Sequence, residues 1–313
     1  MKVAVVMNAA AGSIGAAQAR ARGDAVLAAL TAAGIDGELH ACAGARLTAT
    51  ARALAAGGFD AVVAAGGDGT VSAVAAGLIG GDVPLAVLPL GTLNHFARDL
   101  GMPTDLGEAA RAIAAGAVAR IDAGQVNGHV FVNNSSIGLY PLLVRSRDAE
   151  QRATGHGKWR AMLVAAWRVL RRFPLLAVMV TSEAGSVVTR TPFVFVGNNA
   201  YRLSPLALGQ RDRLDGGRLS LYTMRCRGRL AMLWLSLRAI VGRAETIEDF
   251  EVQAVDAVEV ALRRREIKVA LDGEVLSLAT PLRYTIRAGA LAVVRPGSAA
   301  AEVGREVGRE VAA

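Results

Sequence analysis

Short apolar segments alternate with helical segments over roughly the first 120 residues, and this alternation limits the fold more than any other feature. Strands are expected at 3–7, 61–65 and 85–88, and helices at 18–33, 47–56, 70–79, 94–100 and from about 104 to 115. Uninterrupted apolar strands are typical of a sheet that is buried on both faces. Because helices separate them, such strands pair in parallel. The sequence therefore predicts an α/β domain.

The pattern changes near residue 121, where short β segments replace the alternation of strands and helices. Asn127-Gly128 is the turn signal of a tight hairpin. Further strands are expected at 193–196, 219–224, 258–262, 267–271, 284–286 and 291–294. Segments of this kind favour an antiparallel sheet. We expect an α/β domain over residues 1–121, a mostly β domain over 122–296, and a disordered tail over 297–313.

Two segments of the second domain are predicted to be helical, 158–173 and 225–243. Each has one apolar face and several basic side chains, in a chain whose net charge is +8. One interpretation places the apolar faces in the core and the arginines in water. The other places both segments on an anionic lipid surface. The sequence leaves these two interpretations open.

Composition excludes several classes of protein. No run approaches the about 20 apolar residues of a membrane-spanning helix, and the chain starts with a short strand, so we expect a cytoplasmic protein. The low aromatic content, 4%, argues against a nucleic-acid-binding module that stacks on bases. Cys42 and Cys226 match no metal or redox spacing and are interpreted as free thiols.

The strongest local signal is a glycine-rich turn, Gly66-Gly67-Asp68-Gly69-Thr70, between a buried strand and a helix. Glycines let the backbone approach an anion, and the start of a helix favours negative charge. Asp68 would repel a phosphate, unless Mg²⁺ lies between them. The turn therefore indicates a phosphate-binding site with a magnesium ion. A plain strand-to-helix turn is the alternative.

Two other turns are expected at the same edge of the parallel sheet, where ligands bind in such folds. Gly91-Thr92 and Asn94 follow the strand at 85–88. Asn8, with Gly12 and Ser13 after it, follows the first strand. Taken alone, these polar side chains are also typical of helix caps. Two glycine turns on one edge favour a convergent site more than either turn does alone.

In this order and context the three turns resemble the diacylglycerol kinase catalytic domain superfamily, which includes bacterial diacylglycerol kinases, related bacterial lipid kinases, and sphingosine and ceramide kinases. The matching segments are the turn at Asn8, GGDGT at 66–70, PLGTLNHFARDLGMP at 89–103, FVNNSSIGLY at 131–140, FVGNNAYR at 195–202 and LDGE at 271–274. The resemblance implies a phosphofructokinase-like nucleotide domain followed by a β-sandwich, with the active site in the cleft between them.

The resemblance further implies a lipid kinase that transfers the ATP γ-phosphoryl group to a hydroxyl of diacylglycerol or a related glycerolipid or sphingoid lipid, as in phospholipid biosynthesis. Asp68 would organise Mg²⁺ through water, and either Asp272 or Glu274 would take the hydroxyl proton. From the residues alone, Asp272-Gly273 is an ordinary hairpin turn. The residues implied around ATP are Asn8, Gly12, Gly66, Gly67, Asp68, Gly69, Thr70, Val71, Ser72, Gly91, Thr92 and Asn94.

The chain departs from the family pattern at two places. Ala9 stands where the family usually has proline. Many relatives also hold a structural Mg²⁺ at a paired-acid turn, which corresponds here to residues 212–217. If Gly216 replaces the metal-binding aspartate, that site is lost or rebuilt on Asp215.

Two other functions fit the glycine turn: an NAD kinase-like enzyme with a soluble substrate, and a non-catalytic nucleotide- or lipid-binding relative. The expected partner is a lipid at an anionic membrane surface, to which the protein would bind peripherally. A nucleic-acid partner is not expected. The oligomeric state is left open, with a homodimer as one option.

Overall fold

The computed structural model describes residues 1–9, 16–138, 175–201, 211, 213–224 and 250–297. Within these ranges the helices are α1 Ala16–Ala32, α2 Leu47–Ala55, α3 Asp68–Leu78, α4 His95–Leu100 and α5 Leu106–Ala114. The strands of the first half are β1 Lys2–Asn8, β2 Asp36–Cys42, β3 Ala61–Gly66, β4 Leu85–Pro89, β5 Ala117–Val126, β6 His129–Phe131 and β7 Asn134–Gly138. Those that follow are β8 Leu176–Ser182, β9 Gly185–Thr191, β10 Phe193–Asn198, β11 Leu219–Met224, β12 Phe250–Val255, β13 Ala257–Leu262, β14 Glu266–Leu271, β15 Glu274–Ala279 and β16 Leu282–Arg295.

The first four strands form a parallel sheet in the order β2-β1-β3-β4. The central strands β1, β3 and β4 are almost completely buried, as their apolar runs predict. Strand β2 was not predicted, because its sequence, DGELHAC, has no apolar run and its residues are half-buried or exposed. It pairs on one side only, at the edge of the sheet, where a polar strand is tolerated.

The last strand, β16, joins the two halves of the molecule. Its end pairs in parallel with β4, and most of its length pairs antiparallel with β5. The register shifts between Arg287 and Leu291, so the two strands predicted at 284–286 and 291–294 form a single bent strand. Leu291 and Val293 pack into the core of the first half. The division predicted at residue 121 falls inside β5, and the chain returns to the first core after leaving it.

The remaining strands build two layers around a second core. Strands β13, β8 and β9 continue the ten-stranded sheet beyond β16, while a separate antiparallel sheet has the order β12-β11-β10-β7-β14-β15. Apolar residues of both layers, among them Val180, Val194 and Val269, pack between them. A mixed α/β sheet with a separate antiparallel sheet confirms the predicted fold class at that level.

The strand registers bring the predicted loops together. Met7 lies beside Ala65, and Gly66 lies beside Pro89, so β1, β3 and β4 end at the same edge of the sheet. The predicted helical segments 158–173 and 225–243 and the tail after Gly297 lie outside the described residues. In the part of the chain that is described, no helix is long and apolar enough to cross a membrane.

Candidate active site

The glycine turn is shaped by contact with the second loop. Gly67 precedes α3 in an extended conformation, and a Cβ added at Gly91 would lie 2.5 Å from the Cα of Gly67. A Cβ at Gly66 would lie 2.6 Å from Thr70 Oγ1. A side chain is therefore excluded at Gly91 by the backbone of the glycine turn, and at Gly66 by the side chain of Thr70. The N–H groups of Asp68 and Gly69, in the first turn of α3, have no backbone acceptor among the described residues.

Gly69 differs from its neighbours, because packing does not require a glycine there. It is exposed, and a Cβ on it would make only an ordinary contact, 3.9 Å from Glu274 Oε1. That Cβ would lie on the side of the turn that faces Glu274. A glycine that the protein core does not demand suits a position where a ligand approaches the backbone closely.

Asp68 is half-buried at the start of α3. Its Oδ1 accepts the N–H of Phe96, at 3.2 Å, in the first turn of α4. No described residue donates a hydrogen bond to Oδ2. The carboxylate thus meets the positive ends of two helices, and one oxygen remains for a ligand.

The second loop is held by Asn94, which precedes α4 with φ at +49°. Its Oδ1 accepts the N–H of Gly91 at 3.0 Å, and its Nδ2 donates to the carbonyl of Gly91 at 2.8 Å. The Asn94 side chain is buried, and its two hydrogen bonds to Gly91 fix the shape of the loop. Thr92 is exposed at the front of the same loop.

A cavity of about 460 Å³ lies in front of these turns, within the size range typical of small-molecule sites. Most of its lining comes from the ends of β1, β3 and β4, and from α1. Glu274, at the start of β15, comes from the six-stranded sheet. The lining residues are Met7, Asn8, Ala9, Ala19, Arg22, Gly44, Leu47, Ala65, Gly66, Gly67, Asp68, Gly69, Thr70, Leu90, Gly91, Thr92 and Glu274.

Asp272 lies in the two-residue turn between β14 and β15, Glu274 is the first residue of β15, and the two differ sharply in environment. Asp272 Oδ2 accepts the N–H of Val132 at 2.8 Å, and its Oδ1 accepts those of Asn133 at 2.8 Å and Asn134 at 3.0 Å. Burial raises the pKa of Asp272, and these N–H groups oppose that rise. Glu274 is exposed and lines the cavity. Of the two carboxylates, only that of Glu274 faces the cavity.

The structure brings most of the expected residues together. Asn8, Thr92 and Glu274 line the cavity, as do Gly91 and the whole turn from Gly66 to Thr70. The others lie behind this surface. Val71 is in the core, Ser72 lies beside Asp272 on the α3 side, and Asn94 supports its loop. Gly12 is outside the described residues.

The described residues of the turn expected to hold a structural metal ion contact other protein groups. Asp215 is exposed and pairs with Arg213, at 3.2 Å. The N–H of Gly216 donates instead to Asn199 Oδ1, and that of Gly217 to Asp122 Oδ2, at 2.8 and 2.7 Å. Asp212 is outside the described residues. Across the described ranges no three metal-ligating side chains cluster.

Two basic residues near the site were not predicted from the sequence. Arg22, on α1, is the one Lys or Arg side chain among the residues lining the cavity, and it forms no ion pair with a described residue. The helical pattern of α1 gave no reason to single it out. Arg211 is buried and pairs with Asp99 on α4, Nε to Oδ2 at 2.7 Å. Its partners are distant in sequence, so no local motif marks it.

Comparison with known proteins agrees with this arrangement. The family model of the diacylglycerol kinase catalytic domain matches residues 2–126. Residues 2–126 are therefore similar to a diacylglycerol kinase catalytic domain. The match includes β1, β3 and β4 with their glycine turns, which supply most of the cavity. The resemblance inferred from the sequence is thereby confirmed for this part of the chain.

Individual diacylglycerol and lipid kinases are similar to this chain over shorter stretches. Diacylglycerol kinase of Bacillus subtilis (strain 168) is 50% identical over 50 residues, which is 16% of this chain and 16% of that protein. A probable lipid kinase YegS-like protein of Citrobacter koseri is 40% identical over 82 residues, 25% of this chain and 27% of that protein. The matched stretches thus span only a minor part of these relatives.

The similarity of fold continues beyond residue 126. The crystal structure of a diacylglycerol kinase from Bacillus anthracis str. Sterne superposes with a TM-score of 0.66 at 22% identity. The superposition covers 96% of this chain and 98% of that one. The similarity therefore includes both sheets, and at this identity it speaks for the fold alone.

Proposed function

We propose that this protein is a lipid kinase that uses ATP and Mg²⁺ to phosphorylate a hydroxyl of diacylglycerol or a related lipid. The observation that carries the proposal is the meeting of two glycine turns and two carboxylates around one cavity. The match of residues 2–126 to the diacylglycerol kinase catalytic domain supports a kinase of this class. Similarity to named lipid kinases supports a lipid as acceptor.

The glycine turn would bind the phosphates of ATP. The N-terminus of α3 lies at the cavity, and its free N–H groups favour the binding of an anion. Gly69 leaves room for a phosphate oxygen near the backbone. Arg22 would add a positive charge at the cavity wall. These groups would position the nucleotide and stabilise charge on the transferred group, which is most of what a phosphoryl transferase does.

Asp68 fits a magnesium ion that arrives with the nucleotide. One of its oxygens is fixed by Phe96 and the other is free of described donors. Mg²⁺ is commonly held by one or two carboxylates together with substrate phosphates and water, so a single aspartate suffices. The bound ion would neutralise negative charge on the phosphates. Asp68 would hold it at the entrance of the turn.

Glu274 is our candidate for the general base. It is exposed to the cavity, beside Gly69, where an acceptor hydroxyl could approach the terminal phosphate. Asp272 has its oxygens occupied by three backbone N–H groups. A base must lie within hydrogen-bonding reach of the proton that it takes, and of the two hairpin carboxylates only that of Glu274 lines the cavity. Asp272 would anchor the hairpin that presents Glu274.

We also propose that the protein binds an anionic membrane surface, where its lipid substrate lies. The described residues offer one candidate contact: Arg263, Arg264 and Arg265, exposed in the turn between β13 and β14. No ion pair joins their side chains to any described residue. Each such arginine near an anionic surface contributes about 1 kcal/mol of binding.

The proposed function is tested by transfer of label from [γ-³²P]ATP to a mixed lipid extract. Wild-type protein with Mg²⁺ should label a lipid, and omission of Mg²⁺ or the Asp68→Ala substitution should abolish the labelled product. NAD serves as the alternative acceptor. Label in NAD and none in lipid would favour the NAD kinase-like function. Labelling that is equal in Asp68→Ala and wild type would refute the proposed site.

A further inference from the structure

A continuous set of contacts runs from Asp68 into α4. Asp68 accepts the N–H of Phe96, in the first turn of this helix. Asp99 lies three residues later on the same helix. Its side chain is only 4% exposed and pairs with Arg211 Nε at 2.7 Å. Any shift of α4 would therefore move both contacts, because a short helix moves as one body.

Arg211 continues the contacts into the loop before β7. Its guanidinium is fully buried. One terminal nitrogen, Nη1, donates to the carbonyl of Val132 at 2.6 Å, and the other, Nη2, donates to Asn133 Oδ1 at 2.8 Å. A planar guanidinium makes such contacts in fixed directions, which a lysine ammonium cannot reproduce. Arg211 thus fixes α4 relative to this loop.

The same loop holds the hairpin that carries Glu274. Val132 and Asn133 accept from Arg211 through oxygen atoms and donate through their backbone N–H groups to the Asp272 carboxylate. The two-residue turn after Leu271 then places Glu274 at the cavity. The Arg211 guanidinium therefore connects α4, which contacts Asp68, to the hairpin that carries Glu274.

We propose that Arg211 is a positioning residue that holds Glu274 at a fixed separation from Asp68. It touches neither carboxylate and acts through α4 and the loop at 132–134. The kinetic part of this inference rests on the proposed kinase function. Its structural part, the coupling of α4 to the hairpin, does not.

The kinetic test is Arg211→Lys, which keeps the positive charge and removes the planar guanidinium with its several N–H donors. We expect kcat to fall about 10- to 100-fold, because a misplacement of about 1 Å is enough for such a loss. The KM for ATP should stay within about threefold of wild type, because the glycine turn itself is unchanged. Arg218→Lys is the control, since Arg218 also pairs with an aspartate, Asp256, at 2.8 Å, but on the exposed surface. It should leave kcat unchanged.

Hydrogen exchange gives a readout that needs no activity. In Arg211→Lys, amides of α4 and of the β14–β15 hairpin should both exchange faster, whereas those of β1 and β3 should not. If Arg211→Lys does not fold, Asn133→Ala removes a single contact of the guanidinium and should produce the same pattern more weakly.

The outcomes separate the two proposals. Faster exchange at both ends with a lowered kcat supports the positioning role. Unchanged exchange at either end, or a kcat equal to wild type, overturns it. If the wild-type protein transfers no phosphate, the proposed function fails, and the exchange comparison alone then supports or overturns the coupling.

Discussion

Replacing Asp272 by asparagine and Glu274 by glutamine should separate an anchoring carboxylate from a reacting one. Asparagine fits the backbone at position 272, where φ is +47°, since Asn94, Asn127 and Asn199 adopt similar angles in this protein. The cost of Asp272→Asn therefore comes from its hydrogen bonds and not from backbone strain. Glu274 is exposed, and no described residue forms a hydrogen bond to its carboxylate.

The structure gives the size of the Asp272→Asn effect. The amide of asparagine has one acceptor oxygen, so the two bonds at Oδ1 can persist in weaker, uncharged form, while the N–H of Val132 faces a second donor. An unsatisfied donor costs about 1–3 kcal/mol, and the loss of charge weakens each remaining bond by roughly half. We expect the free energy of unfolding to fall by about 3 kcal/mol, which lowers Tm by about 6 °C.

Glu274→Gln should show the opposite profile. Its Tm should stay near that of wild type, because an exposed substitution changes stability by no more than about 0.5 kcal/mol. Its kcat should fall about 100- to 10,000-fold through loss of the base. Thermal unfolding and label transfer from ATP to lipid measure the two effects on the same samples. An Asp272→Asn protein with normal Tm and the larger loss of kcat would refute our assignment and make Asp272 the base.

The other predictions concern the glycine turns, the surface arginines and the buried ion pair. Gly91→Ala should lower the free energy of unfolding by about 1–3 kcal/mol in urea titrations, because its Cβ would clash with the backbone of Gly67. Gly69→Ala should keep Tm but weaken ATP binding measured by calorimetry, and equal affinity would argue against a phosphate there. Changing Arg263, Arg264 and Arg265 to serine should reduce binding to phosphatidylglycerol vesicles about 100-fold, from about 1 kcal/mol for each arginine; unchanged sedimentation with vesicles would exclude this turn as the membrane contact. Burial raises the pKa of Asp99 and Arg211 opposes that rise, so Arg211→Met should raise this pKa further. A carboxyl group whose pKa is raised in the folded protein lowers the free energy of unfolding as the pH rises from its unfolded to its folded pKa. The stability deficit of Arg211→Met should therefore be smaller at about pH 5 than at about pH 8.

The parallel half of the fold was predictable because strands that are buried on both faces have continuous apolar sequences. The runs in β1, β3 and β4 are apolar throughout, and each is followed by a turn and a helix. Strand β2 carries no such signal, because an edge strand contacts water along much of its length. The pairing of β16 with β4 joins segments about 200 residues apart, and no local pattern specifies such a contact.

The site shows the same division between local and distant information. The glycine turns were found because each is a continuous motif. Residues 271–274 form an ordinary hairpin turn, which also brings Glu274 to the cavity, while the catalytic role of this segment stays a prediction. The contrast between Asp272 and Glu274 could not be predicted, because it depends on N–H groups from residues 132–134. Arg211 was missed for the same reason.

A crystal structure with a non-hydrolysable ATP analogue and Mg²⁺ tests the central claim most directly. Our account predicts that the triphosphate lies against the backbone N–H groups of residues 66–70, with the ion held between Asp68 and the phosphates. The terminal phosphate should face Glu274 across the cavity. A nucleotide bound elsewhere, or an Asp68 carboxylate that remains on Phe96 alone without contact to the ion or its water, would contradict the account.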